Sequence, residues 1–275
     1  MTQTFVSLEK IIRRAPLGVR FMDMVRNVQV EDGLDVQVWP VGYPGSALIA
    51  ERSPVSGIYG VRSLPGLRDY ETGAAAASTW CTGIDEASEA NFVLHVKDKF
   101  GRFLSQARLL CLPKEALLQI ELVSSPARPG VPGFIQAVGE VWDQTADQAA
   151  AWALVGTDDE AYVTIADHRG MFALYLPFPA PPPGANGSTS LGDLTWDFTF
   201  RVRYQPTNQT AITGAEPPDT VSITEQNFAT LYDTFVEGDA GATVTGPTIT
   251  RQFSLGSSLV LKTQGEGIAR LLLTP

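Results

Sequence analysis

Cysteine and histidine are scarce in this sequence. Its 275 residues contain two of each: Cys81, Cys111, His95 and His168. The two cysteines match no zinc-site spacing, and the histidines stand at neither helical nor strand spacing to them or to each other. Both cysteines have apolar neighbours, which predicts buried free thiols, and these are typical of a reducing compartment. We therefore expect no metal site and no bound cofactor.

Sequence signatures of catalysis are also lacking. The chain has no G-x-S-x-G elbow, Walker A loop, G-x-G-x-x-G turn or H-E-x-x-H helix. His95 falls at an outward position of an alternating strand and His168 falls in a turn, so both are expected at the surface. The three adjacent acids at 158–160 lack the alternating ligands of a calcium loop, which favours a solvated loop. The sequence therefore predicts a protein that is not an enzyme and has no catalytic residues.

Long apolar runs and an excess of positive charge are missing too. No stretch approaches the roughly 18 apolar residues of a membrane span, so none is expected. The N-terminal segment lacks the apolar run of a signal peptide, and together with the predicted thiols this indicates a cytoplasmic protein. The net charge is −10, from 20 basic and 30 acidic residues. This balance argues against nucleic acid as a partner, because phosphate binding needs clustered Lys and Arg.

Charge is distributed unevenly along the chain. Residues 1–30 are mostly basic among their charged positions, whereas residues 140–160 and 216–239 contain acids and no Lys or Arg. One interpretation is ordinary solvated surface. The other is a basic arm that docks on an acidic neighbour.

Residues 1–14 carry four apolar side chains at helical spacing, with arginines at their end. Pro16 ends this segment, and so short a helix is marginal alone, so we predict an N-terminal helical arm that binds a partner. A separate candidate is Trp80, a large ring in the small-residue loop 71–90, which either anchors a neighbour or packs into the core. The predicted partner-binding residues are Phe5, Leu8, Ile11, Ile12, Arg13, Arg14 and Trp80.

What the sequence does contain is a strand–turn–strand pattern that occurs twice. LDVQVW at Leu34–Trp39 precedes SGIYGVRSLPG at Ser56–Gly66, and AWALV at Ala151–Val155 precedes VTIADHRGMFALYLPFP at Val163–Pro179. Each copy has an apolar strand, a polar turn ending in Gly, and an alternating strand that stops at Pro. Asp32–Gly33, between alternating runs, further predicts a hairpin.

These patterns predict an all-β protein with long loops. Residues 194–204 place apolar side chains on one face of a strand, 205–250 form a long polar excursion, and the C-terminal residues form a hairpin about Gly265–Gly267. The best linker is the segment 125–133, rich in Pro and Gly. The predicted divisions are an arm at 1–14, a first β-sandwich module at 15–124, the linker at 125–133 and a second module at 134–275.

The repeated pattern resembles the carboxypeptidase regulatory-like, or prealbumin-like, β-sandwich. Val30–Val38 and Ser56–Gly66 match its two strand motifs, and Val138–Val155 and Thr164–Pro177 match them in the second copy. The resemblance implies two prealbumin- or Ig-like β-sandwich modules. That family is named for modules appended to metallopeptidases, but this sequence supplies no zinc ligands, so no peptidase activity is implied.

A longer part of the chain is similar to an accessory protein of phage-tail-like contractile injection systems. The similarity runs through APLGVRFMDMVRNVQVEDGLDVQVWP, SGIYGVRSLPGLRDYE, FVLHVKDKFGRFL and LTWDFTFRVRYQP. It implies a non-enzymatic structural subunit in the cap or baseplate region, without deciding between the two. The implied partners are other structural proteins and further copies of the chain in a symmetric ring. The alternative is a carbohydrate- or surface-binding β-sandwich module, which needs exposed aromatic residues on one sheet face.

Overall fold

A computed structural model describes residues 13–82, 89–180, 194–235, 242–254, 259–263 and 270–275. The secondary structure of these residues consists mainly of β-strands that form several sheets, and there is very little helix. The predicted all-β class is therefore confirmed.

The first group of strands precedes residue 123 and forms two sheets. Its strands are β1 (Leu17–Asp23), β2 (Val28–Gln29), β3 (Leu34–Pro40), β4 (Leu48–Ile49), β5 (Glu51–Arg52), β6 (Tyr59–Val61), β7 (Phe92–Asp98), β8 (Gln106–Leu110) and β9 (Leu118–Leu122). In one sheet, β1 pairs antiparallel with β2 and β6 and parallel with β9, and β5 pairs with β6. The other sheet has the order β4-β3-β7-β8.

The second group of strands begins at residue 134 and repeats this pairing pattern. Its strands are β10 (Phe134–Asp143), β11 (Gln148–Ala149), β12 (Leu154–Thr157), β13 (Val163–Ile165), β14 (Met171–Pro177), β15 (Thr195–Arg203), β16 (Thr230–Phe235), β17 (Ala242–Gly246), β18 (Ile249–Ser254), β19 (Leu259–Leu261) and β20 (Arg270–Thr274). β10 pairs antiparallel with β11 and β14 and parallel with β19 and β20. The facing sheet has the order β13-β12-β15-β18.

Short helices lie in the connections between strands. They are α1 (Arg68–Glu71), α2 (Thr220–Thr224) and single 3₁₀ turns at Pro44–Ser46, Ala77–Thr79 and Pro206–Asn208. The second group also has a hairpin of β16 and β17, and β16 pairs antiparallel with β20. The segment 205–250, predicted as a polar excursion, therefore contains a helix and strands.

Each group buries its own apolar core between its two sheets. The cores form because side chains alternate between the two faces of each strand. In β1, for example, Leu17, Val19 and Phe21 are buried while the residues between them are partly exposed. The strand predicted at 194–204 alternates in the same way, with Phe200 and Val202 fully buried. Its predicted two-sided character is confirmed.

The hairpin predicted at Asp32–Gly33 is wrong, although the turn exists. Gly33 has a φ of 76°, which favours glycine. However, β2 pairs with β1, while β3 after the turn belongs to the facing sheet. The turn therefore carries the chain between sheets, because alternation specifies which face is buried and not which strand is the neighbour.

The predicted C-terminal hairpin is also wrong for the strands that the structure describes. β19 lies beside Ala137–Gly139 of β10, and β20 lies beside Glu140–Asp143. Both run parallel to β10, one after the other, so they extend one edge instead of pairing as a hairpin. The predicted turn at Gly265–Gly267 lies outside the described residues.

The turn that contains His168 has the predicted form. Asp167 Oδ1 accepts hydrogen bonds from the backbone N–H groups of Arg169 at 2.8 Å and Met171 at 3.0 Å. Gly170 has a φ of 76°, and an added Cβ would lie 2.4 Å from the Val141 carbonyl oxygen. His168 is exposed, as expected.

Candidate functional site

Three of the seven predicted partner-binding residues lie in the part of the chain that the structure describes. Phe5, Leu8, Ile11 and Ile12 lie outside the described residues. Arg13 and Arg14 are described and exposed. Trp80 is half-buried and packs against the first core.

Arg14 is tied to α1. Its backbone N–H donates to the Glu71 carbonyl at 3.0 Å, and its guanidinium carbon lies 6.0 Å from the centre of the Tyr70 ring. Tyr70 is buried and meets Trp80 edge to face, with ring centroids 6.5 Å apart. The structure therefore brings Arg14 and Trp80 together through Tyr70. Of the two interpretations of Trp80, packing against the core describes its position.

The prediction of free thiols is wrong. Cys81, directly after Trp80, forms a disulfide with Cys111, and their Cα atoms lie 5.8 Å apart. The pairing joins the loop after α1 to the end of β8, a contact that a separation of 30 residues hides from sequence inspection. We call Arg14, Tyr70, Trp80, Cys81 and Cys111 the arm-base cluster.

The disulfide removes one argument for a cytoplasmic location. Persistent disulfides are typical of oxidising compartments, and free thiols of reducing ones. The cytoplasmic location therefore stays a prediction. None of the helices within the described ranges has the length and apolar character of a membrane span.

The acidic segments offer the arm less free charge than the sequence indicates. In the first segment, Asp158 pairs with Arg201, and Glu160 Oε1 lies 2.5 Å from Arg203 Nη2. The expected solvated acidic loop is therefore partly neutralised. Asp159 instead accepts hydrogen bonds from the Thr157 hydroxyl and the Ala161 N–H, which lower its pKa.

Two acids of the second segment are buried. Asp233 holds Arg251 through two hydrogen bonds of 2.9 Å. Asp219 Oδ1 accepts the backbone N–H of Leu109 at 3.1 Å. These two carboxylates are hydrogen-bonded inside the protein, so they do not form part of an exposed acidic surface to which the arm could bind.

No metal centre is apparent among the described residues, where no three His, Cys, Asp or Glu side chains come together. His95 is half-buried, contrary to expectation: its Nε2 lies 2.9 Å from Ser105 Oγ, and its ring meets Trp39 at 5.8 Å. Burial lowers the His95 pKa despite the opposing charge of Asp35.

Sequence reasoning missed the contacts that join the two groups of strands. Residues 205–224, which we call the bridging segment, leave the second group and pack on the outer face of sheet β4-β3-β7-β8. Ile212 packs there with Trp39, Val93 and Ala107. The Thr220 hydroxyl donates to the Ala107 carbonyl at 2.8 Å, beside the Asp219 bond to Leu109. The available signal was Asp219 directly before Thr220, the first residue of α2, because Asp is typical of the position before a helix.

The predicted linker is a second such contact. Arg128 is buried and donates to Asp23 Oδ2 at 2.6 Å and to Ser124 Oγ at 2.8 Å. Its guanidinium lies between the rings of Phe103 and Tyr175, at 5.0 and 5.4 Å. Asp23 and Phe103 belong to the first group and Tyr175 to β14, so the linker arginine connects both. We call these residues the Arg128 node.

Comparisons with known proteins add little to this description. No protein family model matches the chain, and no curated protein matches it. Among solved structures, the Bacillus anthracis TIE protein gives a TM-score of 0.21 at 10% identity over 87% of this chain. A variant of the shaft pilin SpaA from Lactobacillus rhamnosus GG gives 0.20 at 11% identity, covering 95% of this chain and 97% of the pilin. The chain matches 44% of the TIE protein, less than half its length, and neither score carries an argument about function.

Proposed function

We propose that this chain is a non-enzymatic structural subunit of a large assembly, in the cap or baseplate region of a phage-tail-like contractile injection system. In this proposal it consists of two prealbumin-like modules, 15–124 and 134–275, joined at 125–133. Its partners are other structural proteins of the particle and further copies of itself in a symmetric ring, and it resides in the cytoplasm.

The observation that carries the proposal is the way the two groups of strands are fastened together. The bridging segment and the Arg128 node hold them at separate places. A third contact is an apolar cluster formed by Val123, Ile165 and Ile223, with Leu104, Trp152 and Leu154 packed against it. A subunit that sets the spacing of its neighbours needs such fixed geometry. Domains that meet only through a small, polar interface are instead expected to move relative to each other.

Exposed apolar residues support a role in contacts with other chains. Three of them fall within residues 41–49, at the connection of β3 and β4: Val41, Tyr43 and Ile49 are 43%, 69% and 71% exposed. Apolar groups concentrated at the surface are typical of protein contact sites. We assign this connection and the arm to assembly contacts.

The alternative, a carbohydrate- or surface-binding module, requires aromatic rings gathered on one exposed face. The exposed rings among the described residues lie on separate connections and strands: Tyr43, Phe100, Tyr162, Phe178 and Phe228. Trp142, on the outer face of β10, is covered by Arg270 at 3.7 Å from its ring centre. The structural subunit is therefore the better proposal.

The experiment uses two variants, expressed in cells that naturally produce the protein. One lacks residues 2–12, and the other has both Arg13 and Arg14 changed to Glu. We expect both variants to fold and to be lost from the purified particles. The charge reversal should also make the remaining association less sensitive to salt, because exposed charges are screened over about 8–10 Å. The matched control changes two other exposed arginines, Arg26 and Arg62, to Glu and should be incorporated normally.

Two results would contradict the proposal. One is a deletion variant that incorporates into particles as the natural chain does. The other is a deletion variant that unfolds, since residues 2–12 would then belong to the chain's own core. Circular dichroism and thermal melting of the purified variant distinguish the second result from a loss of assembly.

A further inference from the structure

A cavity of about 410 Å³ lies between the two groups of strands. On one side it is lined by core side chains of the first group, Leu94, Val96 and Ile120. On the other side it meets Leu154 and Ile165 of the second group. Pockets of roughly 300–1,000 Å³ at domain interfaces, mostly apolar with a few polar groups, are the usual form of small-molecule sites.

One cationic side chain stands in this apolar lining. Arg108 lies on β8 directly opposite Leu94, so it projects from the inner face of the sheet. Its guanidinium has no hydrogen bond or ion pair with any residue that the structure describes. Gln106, two residues earlier on the same face, instead donates to the Glu121 carbonyl at 3.2 Å. The Glu121 side chain also lines the cavity but is exposed to solvent.

Two buried polar atoms in the cavity wall lack partners in the described part of the chain. They are Arg108 Nε and Thr164 Oγ1, and Thr164 is 3% exposed. Buried polar groups in native proteins are nearly always hydrogen-bonded, so each exception calls for an explanation. A bound acceptor at Arg108 supplies one.

The second group of strands explains why the cavity is found here. There β20 pairs with β10 on one side and with β16 on the other. In the first group β9 pairs with β1. No described strand pairs with the other side of β9, and this side lines the cavity together with β8. The space that a strand covers in one group is thus left between β8 and β9 in the other.

We propose that this cavity binds a small amphipathic anion, a medium-chain carboxylate whose hydrocarbon chain packs on Leu94, Val96 and Ile120 and whose carboxylate pairs with Arg108. Arg and carboxylate form strong charge-assisted hydrogen bonds, often two in parallel. The apolar lining disfavours a small hydrophilic anion, and the arginine favours an acid over a neutral alcohol of equal length. This site is independent of the assembly role proposed above.

The test measures the binding of decanoate, decan-1-ol and acetate to the full-length protein by titration calorimetry and ligand-observed NMR. We expect saturable binding of decanoate at one site, weaker binding of the alcohol, and none of acetate. Arg108→Met keeps the length of the side chain and removes its charge. It should weaken decanoate binding roughly ten- to a hundredfold, the range for losing a hydrogen bond to a charged group, and leave decanol binding unchanged.

Three further variants keep the test decisive. Arg62→Met, at an exposed arginine outside the cavity, should bind decanoate as the natural chain does. Val221→Phe enlarges a side chain of the cavity lining and should abolish the binding of both decanoate and decanol. Should Val221→Phe fail to fold, Arg108→Lys, which retains the positive charge, should bind better than Arg108→Met. The proposal is overturned by the absence of saturable decanoate binding, or by equal decanoate affinity of the natural chain and Arg108→Met.

Discussion

The two groups of strands share one pairing pattern, and one connection that differs between them also fastens them together. In the first group, β7 leads to β8 through the short residues 99–105. In the second group, the corresponding step from β15 to β18 contains the bridging segment and the hairpin β16–β17. The bridging segment packs on the first group, and the hairpin extends the sheet beyond β20, where β16 pairs with β20. One insertion thus fastens the two groups together and adds two strands to a sheet of the second group.

The turn after the first strand is the same in both groups, but in the first group it makes an additional contact. Asp23 is the last residue of β1, and its Oδ1 accepts hydrogen bonds from the backbone N–H groups of Val25 and Arg26. Asp143 is the last residue of β10, and its Oδ1 accepts hydrogen bonds from those of Thr145 and Ala146. Both aspartates shape the same turn, but only Asp23 also pairs with an arginine in the described part of the chain. The comparison predicts different consequences for the same substitution.

The largest effect is expected for Asp23→Asn. The asparagine still shapes the turn but leaves the buried charge of Arg128 uncompensated, and breaking such a pair costs about 3–5 kcal/mol. Asp143→Asn, the matched control, keeps an amide oxygen for the turn and should cost about 1 kcal/mol or less. Urea unfolding of both variants measures the difference. Equal costs would mean that the Arg128 node adds nothing to the shared turn.

The same pair predicts a response to acid. Burial alone would raise the pKa of Asp23, but the hydrogen bond and charge of Arg128 outweigh it and lower the pKa. The folded-state pKa therefore lies below the unfolded value of about 3.9. The stabilisation is present above about pH 4 and is lost as the pH falls through the folded pKa. The difference between the natural chain and Asp23→Asn should shrink accordingly.

The next largest effect concerns the disulfide, which has no counterpart in the second group, where the sequence has no cysteine. Changing Cys81 and Cys111 to Ser should lower the free energy of unfolding by about 2–4 kcal/mol, because a cross-link over 30 residues restricts the unfolded chain. Dithiothreitol should lower the melting temperature of the natural chain and leave that of the double variant unchanged. Titration of two free thiols in the purified natural chain would contradict the pairing.

A smaller effect is expected where the bridging segment contacts β8. Asp219→Ala removes the acceptor of the Leu109 N–H, and a buried donor without a partner costs about 1–3 kcal/mol. Hydrogen exchange at Leu109 should become faster. Asp197→Ala, at an exposed aspartate of β15, is the control. It should change neither the free energy of unfolding nor the hydrogen exchange at Leu109. Unchanged exchange at Leu109 in Asp219→Ala would show that the contact is not part of the folded state.

The smallest effect is expected for the response of His95 to pH. Burial lowers the His95 pKa, so the folded-state pKa lies below the unfolded value of about 6.5. Protonation therefore costs stability, which is present at neutral pH and is lost as the pH falls through the folded pKa. His95→Gln should flatten the dependence of the free energy of unfolding between pH 7 and 5. A pH dependence in His95→Gln equal to that of the natural chain would contradict the burial of the His95 imidazole.

The sequence predicts faces and turns well, and neighbours poorly. Alternation identified the strand at 194–204, and Asp167 caps its turn as expected, because both are local properties of the chain. The turn at Asp32–Gly33 was predicted correctly, but its hairpin was not, since the partner of a strand depends on distant residues. The candidate site shows the same limit. Arg14 and Trp80 were identified, but Tyr70 between them and the disulfide beside them depend on folding.

The contacts that join the two groups could not be predicted for a related reason. Arg128 stands in a segment whose Pro and Gly content is typical of a linker, and its partners come from three distant parts of the chain. The bridging segment is polar in composition, because its role depends on a few buried residues such as Ile212 and Asp219. Neither pattern differs from that of an exposed loop until the surfaces it covers are known.

The central claim is that the bridging segment and the Arg128 node make the two groups of strands one unit. Differential scanning calorimetry of the full-length protein tests it most directly. We predict a single transition whose calorimetric and van't Hoff enthalpies are equal, as for a two-state unit. Two separable transitions in the natural chain, one for each group of strands, would contradict the account.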